Sequence, residues 1–242
     1  MTRDAIRFEH TRHEIDGRLL VGPLNLGIPA GETLVLVGPS GSGKTTTLRL
    51  INRLAEPTAG DVFVQGKGSA DWDPVRLRRQ IGYVIQEVGL FPHLTVAGNI
   101  ELVPLLENWA PKKRQARVDE LLEMVGLPPS EFRDRRPREL SGGQRQRVGV
   151  ARALAVDPPI LLCDEAFGSV DPITRFELQN EFRSLVAKLA KTVVFVTHDV
   201  REALAMADRI ALMEHGRVTF EGTTDEFRAS DTQSVRDLRA LE

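Results

Sequence analysis

Leu34-Val-Leu-Val-Gly-Pro-Ser-Gly-Ser-Gly-Lys-Thr-Thr-Thr-Leu48 is the stretch whose reading decides the fold. The apolar run Leu34–Val37 is too short for a helix and reads as a fully buried strand. Gly38, Pro39, Ser40, Gly41, Ser42, Gly43, Lys44 and Thr45 follow it and match the phosphate-loop pattern. The glycines permit a tight turn whose backbone N–H groups converge on phosphate oxygens. Thr46 to Leu54 can form the helix that must follow, adding its positive N-terminal end. In that geometry Lys44 sits against the β- and γ-phosphates and the Thr45 hydroxyl ligates Mg²⁺. An ordinary glycine-rich turn is the alternative. A strand before, a helix after and Lys-Thr in register favour a nucleotide.

Working outward, Ile160–Cys163 and Val193–Val196 are further short apolar runs. Each precedes polar residues and then a helical pattern, the signature of a parallel α/β sheet. Asp61–Val64, and Arg217–Glu221 after a His215-Gly216 turn, read as shorter antiparallel strands. Between about Leu90 and Pro137 the strand signals stop. Pro111 marks a helix start there, with Val118, Leu121, Leu122 and Val125 on one face. The expected fold is α/β: a phosphate-loop NTPase core, mostly parallel sheet with a small antiparallel N-terminal part, plus an inserted helical subdomain. The chain reads as a single domain over 1–242, with the core at 1–89 and 138–242 and the helical subdomain at 90–137. The stretch from about 228 to 242 predicts a short surface helix.

Two acids end the second apolar run, in Pro159-Ile-Leu-Leu-Cys-Asp164-Glu165. Running beside the phosphate-loop strand, this strand would deliver Asp164 to the Mg²⁺ shell. Glu165, one residue on, is placed to accept a proton from an attacking water. The alternative is a strand that ends in solvated acids. Cys163 reads as a small buried hydrophobe. His198 ends the third run, on the edge where parallel sheets bind ligands, and reads as a γ-phosphate contact. Leu140-Ser141-Gly142-Gly143-Gln144 opens a helix to about Ala155, with Ser141 as its cap and the glycines baring its N–H groups. This is a second anion cradle, without a lysine. One triphosphate needs one cradle, so the second suggests service to a nucleotide held by another copy.

Composition narrows the classes. Of 242 residues, 41% are hydrophobic and 27% charged, which predicts an ordinary soluble globular chain. A net charge of −2 supplies no drive toward nucleic acid or an anionic membrane. One cysteine excludes an internal disulfide. No apolar run reaches the roughly 18 residues of a membrane span, and none at the N-terminus resembles a signal peptide. The basic clusters Lys112, Lys113, Arg114, Arg117 and Arg133, Arg135, Arg136, Arg138 lack interleaved aromatics. The first reads as a solvated helix face, and no nucleic-acid groove is expected.

Together these residues resemble the ATP-binding cassette (ABC) ATPases over nearly the whole chain. Leu140–Gln144 resembles the family's signature motif and Gln86 its glutamine loop, which touches Mg²⁺ and links to the membrane partner. Ser169-Val-Asp171 resembles the dimer-contact loop, and His198 the switch histidine. The resemblance implies ATP hydrolysis with Mg²⁺ held by Thr45, Gln86 and Asp164, and catalysis by Glu165, His198, Lys44 and Gln86. It implies a head-to-tail dimer in which Ser141, Gly142, Gly143, Gln144 and Asp171 complete the other copy's nucleotide site. It also implies a transmembrane permease docked on the helical subdomain, a solute-binding protein beyond it, and a place on the cytoplasmic face of the membrane.

More narrowly, Ile51-Asn-Arg-Leu54, Glu56–Gly60, Ile81–Gln86, Asn99–Pro104 and Asp171–Arg175 resemble importers of glycine betaine, choline and related quaternary amines. An importer of another small solute, of amino-acid type, is the alternative. A soluble family member acting on DNA or ribosomes is the rival class; those usually pair two cassettes or insert a long coiled coil. The resemblance departs at His13-Glu14-Ile15, where the family usually carries an aromatic to stack on adenine. Either His13 stacks instead or apolar contact alone holds the base. Ala166 stands where the family commonly has Pro. The paired nucleotide-sensing domains of some members are expected to be absent, or supplied by another chain.

Overall fold

A computed structural model describes residues 4–86, 88–168 and 170–239. The strands among them, in chain order, are β1 (Asp4–Ile15), β2 (Arg18–Pro29), β3 (Thr33–Val37), β4 (Ala59–Val64), β5 (Lys67–Gly68), β6 (Ile81–Val84), β7 (Ile160–Asp164), β8 (Thr192–Thr197), β9 (Arg209–Glu214) and β10 (Arg217–Thr223). The helices that position the groups of interest are α1 (Lys44–Ile51), α2 (Pro111–Met124), α3 (Gly142–Ala153), α4 (Pro172–Lys188) and α5 (Val200–Met206). Among the described residues no helix is long and apolar enough to cross a membrane.

The chain forms two compact units, one built from the chain up to Arg78 and from Leu189 onward, the other from Arg79–Lys188. The first unit holds two sheets. One is antiparallel, in the order β2-β1-β4-β5. In the other, β3 lies between β8 and β9 and runs parallel to both, with β10 antiparallel on the outer side of β9. Every residue of β3 and β8 is buried, as continuous apolar runs in a sheet covered on both faces require. Each such Leu or Val contributes about 1.5–3 kcal/mol by leaving water. These strands fill both sides of β3, so β7 does not run directly beside the phosphate-loop strand as the sequence suggested. β8, buried throughout, and the buried middle of β9, Ile210 to Met213, hold the places on either side of β3.

β1 and β2 were not legible as long strands. β2 carries Gly22, Pro23 and Pro29, which break the alternating pattern, yet Ile6, Phe8, Val21, Leu24, Leu26 and Ile28 bury one shared face. The short helix expected near the C-terminal end is Gln233–Arg239, and a further one, Thr224–Ala229, precedes it; together they bury Phe227, Val235 and Leu238.

In the second unit β6 and β7 pair in parallel, Ile81 opposite Ile160 and Val84 opposite Cys163, and Cys163 is fully buried. Around them pack α2, α3, α4 and the short helices Val96–Ile100, Leu102–Leu106 and Pro129–Phe132. Pro111 stands at the first position of α2, and Val118, Leu121 and Leu122 form its buried face. The first basic cluster is less solvated than its spacing suggests. Arg117 donates to the carbonyls of Leu154 and Ala155, Arg114 to Glu101 and the Trp109 carbonyl, and Lys113 lies over the Trp109 ring. In the second cluster Arg133 pairs with Asp119 and Arg135 stacks on Phe132.

Candidate functional site

In the first unit the phosphate loop leaves the carboxyl end of β3 and enters α1, which starts at Lys44. Gly38 has φ +147°, and a Cβ there would lie 2.2 Å from the Met213 carbonyl oxygen. Gly43, with φ +102°, would bring a Cβ to 2.5 Å from the Leu20 carbonyl oxygen. Both positions therefore admit only glycine. Lys44 is buried, and its Nζ donates to the carbonyls of Gly38 (2.7 Å) and Pro39 (2.9 Å), so the ammonium is folded back into its own loop. The Ser42 hydroxyl is buried with no hydrogen-bond partner among the described residues. A buried hydroxyl left unpaired costs roughly 1–3 kcal/mol, so this cradle is built for an acceptor it does not itself contain. Pro39, Ser40 and Gly41 are exposed on the rim, and Thr45 and Thr46 are half-buried in the first turn of α1.

His198 follows β8. Val37 pairs with Thr197 in the parallel register, so the phosphate loop and the exposed His198 leave the same edge of one sheet from adjacent strands. Asp199 caps α5 by accepting from the N–H groups of Arg201 and Glu202, which fixes the chain just beyond the histidine. His13 is engaged elsewhere: its Nδ1 shares a hydrogen bond with the Glu56 carbonyl at 2.8 Å, while Ile15 is half-exposed.

In the second unit Asp164 ends β7 and Glu165 follows it, and both are half-buried. Glu165 has φ +46°, a left-handed conformation costing a non-glycine residue about 1–3 kcal/mol, of the kind that accumulates at functional sites. Gln86 Nε2 donates to Glu165 Oε2 at 3.2 Å. Tyr83, on β6, donates its hydroxyl to Asp164 Oδ2 at 3.3 Å. The structure thus joins Gln86 to Glu165 across 79 positions of sequence.

Ser141 caps α3 in a reciprocal box: Gln144 N–H donates to Ser141 Oγ (3.2 Å) and Ser141 N–H to Gln144 Oε1 (2.9 Å). Gln144 therefore serves its own helix end. Gly143 is buried against α4, where a Cβ would meet Thr174 Cγ2 at 2.8 Å. Asp171 caps α4, accepting from Thr174 N–H at 3.0 Å. That backbone bond, helped by the Thr174 hydroxyl, holds its carboxyl below the ordinary aspartate range. Ser169 lies outside the described residues.

Sequence reasoning did not single out the grip of α3 on the loop after Gln86. Gln146 Nε2 reaches the Gln86 carbonyl at 3.5 Å. Arg152 donates to the carbonyls of Val88 (2.5 Å) and Gly89 (2.7 Å), and its burial lowers its pKa. A Cβ on Gly149 would stand 2.6 Å from Val88 Cγ1. Gln146, Gly149 and Arg152 recur every three positions along α3, a polar and glycine stripe on a face that is otherwise apolar.

A protein-family model described as ABC transporter matches residues 21–168. The choline transport ATP-binding protein OpuBA of Bacillus subtilis is 54% identical over 210 residues, which are 87% of this chain and 55% of that one. The glycine betaine uptake system ATP-binding protein YehX of Escherichia coli is 48% identical over 217 residues, 90% of this chain and 70% of that one. This chain spans little more than half the length of the Bacillus relative. Among solved structures, a dimeric bacterial ABC transporter cassette, MJ0796, superposes with a TM-score of 0.80 at 35% identity, covering 90% of this chain and 98% of that one. Its post-hydrolysis form bound to ADP and Pi superposes with a TM-score of 0.79 at 34% identity.

Proposed function

This chain belongs to the ABC transporter family, and from that premise we propose that it is the ATP-hydrolysing subunit of an import system for an osmoprotectant such as glycine betaine, choline or another quaternary amine. The observation that carries the nucleotide reading is the phosphate loop itself. Its two positions closed to any side chain, its self-satisfied lysine and the unpartnered Ser42 hydroxyl fit a polyphosphate. The solute reading rests on relatives named for choline, carnitine and glycine betaine transport.

Thr45, Gln86 and Asp164 would hold Mg²⁺, a set of hard oxygen donors that suits this ion, which is commonly bound by one or two carboxylates plus substrate phosphates. When bound, Mg²⁺ neutralises charge on the β- and γ-phosphate oxygens. Lys44 exchanges its two loop carbonyls for phosphate oxygens, gaining charge-assisted bonds. Glu165, oriented by Gln86, accepts a proton from the water that attacks in line with the γ-phosphate. His198 steadies the departing phosphoryl oxygens.

Two copies pair head to tail, so that Ser141, Gly142 and Gly143 of the second copy offer the N-terminal end of α3 to the γ-phosphate and Asp171 lies in the contact. Gln144 locks Ser141 in place for this. Hydrolysis removes the group that bridges the copies, and their separation drives a permease docked on the helical region 90–137 at the cytoplasmic face of the membrane. A solute-binding protein delivers the cargo to that permease.

Glu165→Gln tests the reading. The variant should bind ATP, fail to release phosphate and sediment as a dimer with ATP. In cells it should abolish uptake of labelled glycine betaine and choline. A monomer with ATP refutes the paired-copy arrangement, and undiminished uptake refutes the solute class.

A further inference from the structure

We infer that Tyr83 is a positioning residue for Asp164, setting the orientation of the carboxylate so that it can take a divalent cation. This rests on the proposed role of Asp164 as a Mg²⁺ ligand. β6 and β7 are parallel, with Tyr83 opposite Leu162 and Val84 opposite Cys163, so the Tyr83 side chain reaches along the strand direction to the acid two positions beyond its partner. Its hydroxyl lies 3.3 Å from Asp164 Oδ2.

The apolar neighbours of the Tyr83 ring on β6 and β7 do not themselves call for a hydroxyl. Ile81 and Val84 are buried, as are Ile160 to Cys163, and packing alone is served as well by phenylalanine. What the hydroxyl adds is a donor to one oxygen of a side chain whose terminal torsion is otherwise broad. With Oδ2 held, the carboxylate plane keeps one rotation, and its other oxygen keeps one direction. The 3.3 Å separation exceeds the roughly 2.5–3.0 Å of a mature hydroxyl–oxygen bond. Hydrogen bonds of this kind often tighten only when a site is loaded. Three residues on, the same strand's continuation sends Gln86 to Glu165 at 3.2 Å. One segment, Tyr83 to Gln86, therefore addresses both Asp164, the last residue of β7, and Glu165, the residue after it. Partners of this kind, one bond removed from the metal, commonly change metal affinity about 10–100-fold when lost.

Tyr83→Phe keeps the ring and removes only the hydroxyl. Mn²⁺ affinity, read from the paramagnetic resonance of free Mn²⁺ with a non-hydrolysable ATP analogue present, should fall about tenfold or more. Analogue binding in EDTA should stay unchanged. The Mg²⁺ concentration for half-maximal turnover should rise in parallel, with turnover largely restored at saturating Mg²⁺. Unchanged Mn²⁺ affinity in the variant overturns the inference, as does a lowered melting temperature with Mn²⁺ affinity intact, which marks a purely structural hydroxyl. Asp164→Asn in the same titration separates the premise from the inference. If it leaves Mn²⁺ affinity intact, Asp164 is not a ligand and the premise fails. If it abolishes Mn²⁺ binding while Tyr83→Phe changes nothing, only the role of Tyr83 fails.

Discussion

Replacing Arg152 by methionine should loosen the loop after Gln86 and lower the stability of the second unit. The guanidinium donates to the carbonyls of Val88 and Gly89 at 2.5 and 2.7 Å. Bonds to a charged donor contribute about 1.5–3 kcal/mol each, so the gross loss is about 3–6 kcal/mol. Two terms offset it. Val88 sits at φ +52°, a left-handed conformation that a β-branched residue resists, and releasing it returns about 1–3 kcal/mol. The variant also no longer desolvates a guanidinium, whose burial already lowers its pKa. The net cost is about 2 kcal/mol, which for a chain of this size corresponds to a fall in melting temperature of about 4–8 °C. Thermal unfolding by circular dichroism measures that fall. Hydrogen exchange should show amides near 86–91 losing protection well beyond the global change. Because Gln86 and its bond to Glu165 precede this loop directly, turnover should drop while ATP binding persists. A melting temperature within about 1 °C of wild type, with unchanged exchange near 86–91, refutes the clamp. Arg152→Lys should fall between the two, since an ammonium does not offer the flat fork that spans both carbonyls.

Two further predictions concern the helix caps. Ser141→Ala removes the acceptor for Gln144 N–H and should cost about 1 kcal/mol in stability. It should also abolish turnover while sparing ATP affinity in the isolated copy; unchanged turnover would sink the signature role of Ser141. Asp171 has its carboxyl held below its ordinary range by the Thr174 backbone N–H, so its contribution is fully present above the unfolded value and is lost as pH falls through the folded one. Melting temperature should therefore decline more steeply below about pH 4 in the wild type than in Asp171→Asn. A difference between the two proteins that stays constant from neutral to acid pH contradicts this.

What the sequence by itself determined is local. The strand–loop–helix of Leu34 to Ile51, the capped start of α3 at Ser141 and the proline start of α2 are set by residues within a few positions of one another. Glycine torsions, a hydroxyl three residues before its N–H partner and a ring that lacks a donor act over one turn of backbone, so the pattern alone reveals them. Strand order, the hairpin of β1 and β2 and the pairings at the site were decided only in three dimensions. Which acid is addressed by Tyr83 and which by Gln86 depends on a parallel register between segments 79 to 81 positions apart, and which carbonyls Arg152 clamps depends on how α3 packs on a loop 64 positions before it. Periodicity shows that a residue faces a core. It does not show which distant backbone stands opposite, because that is fixed by strand order and register. Val88 shows the same limit at a single residue: its left-handed conformation comes with a local turn to the Ile85 carbonyl, but its own carbonyl is bound by a guanidinium 64 positions away.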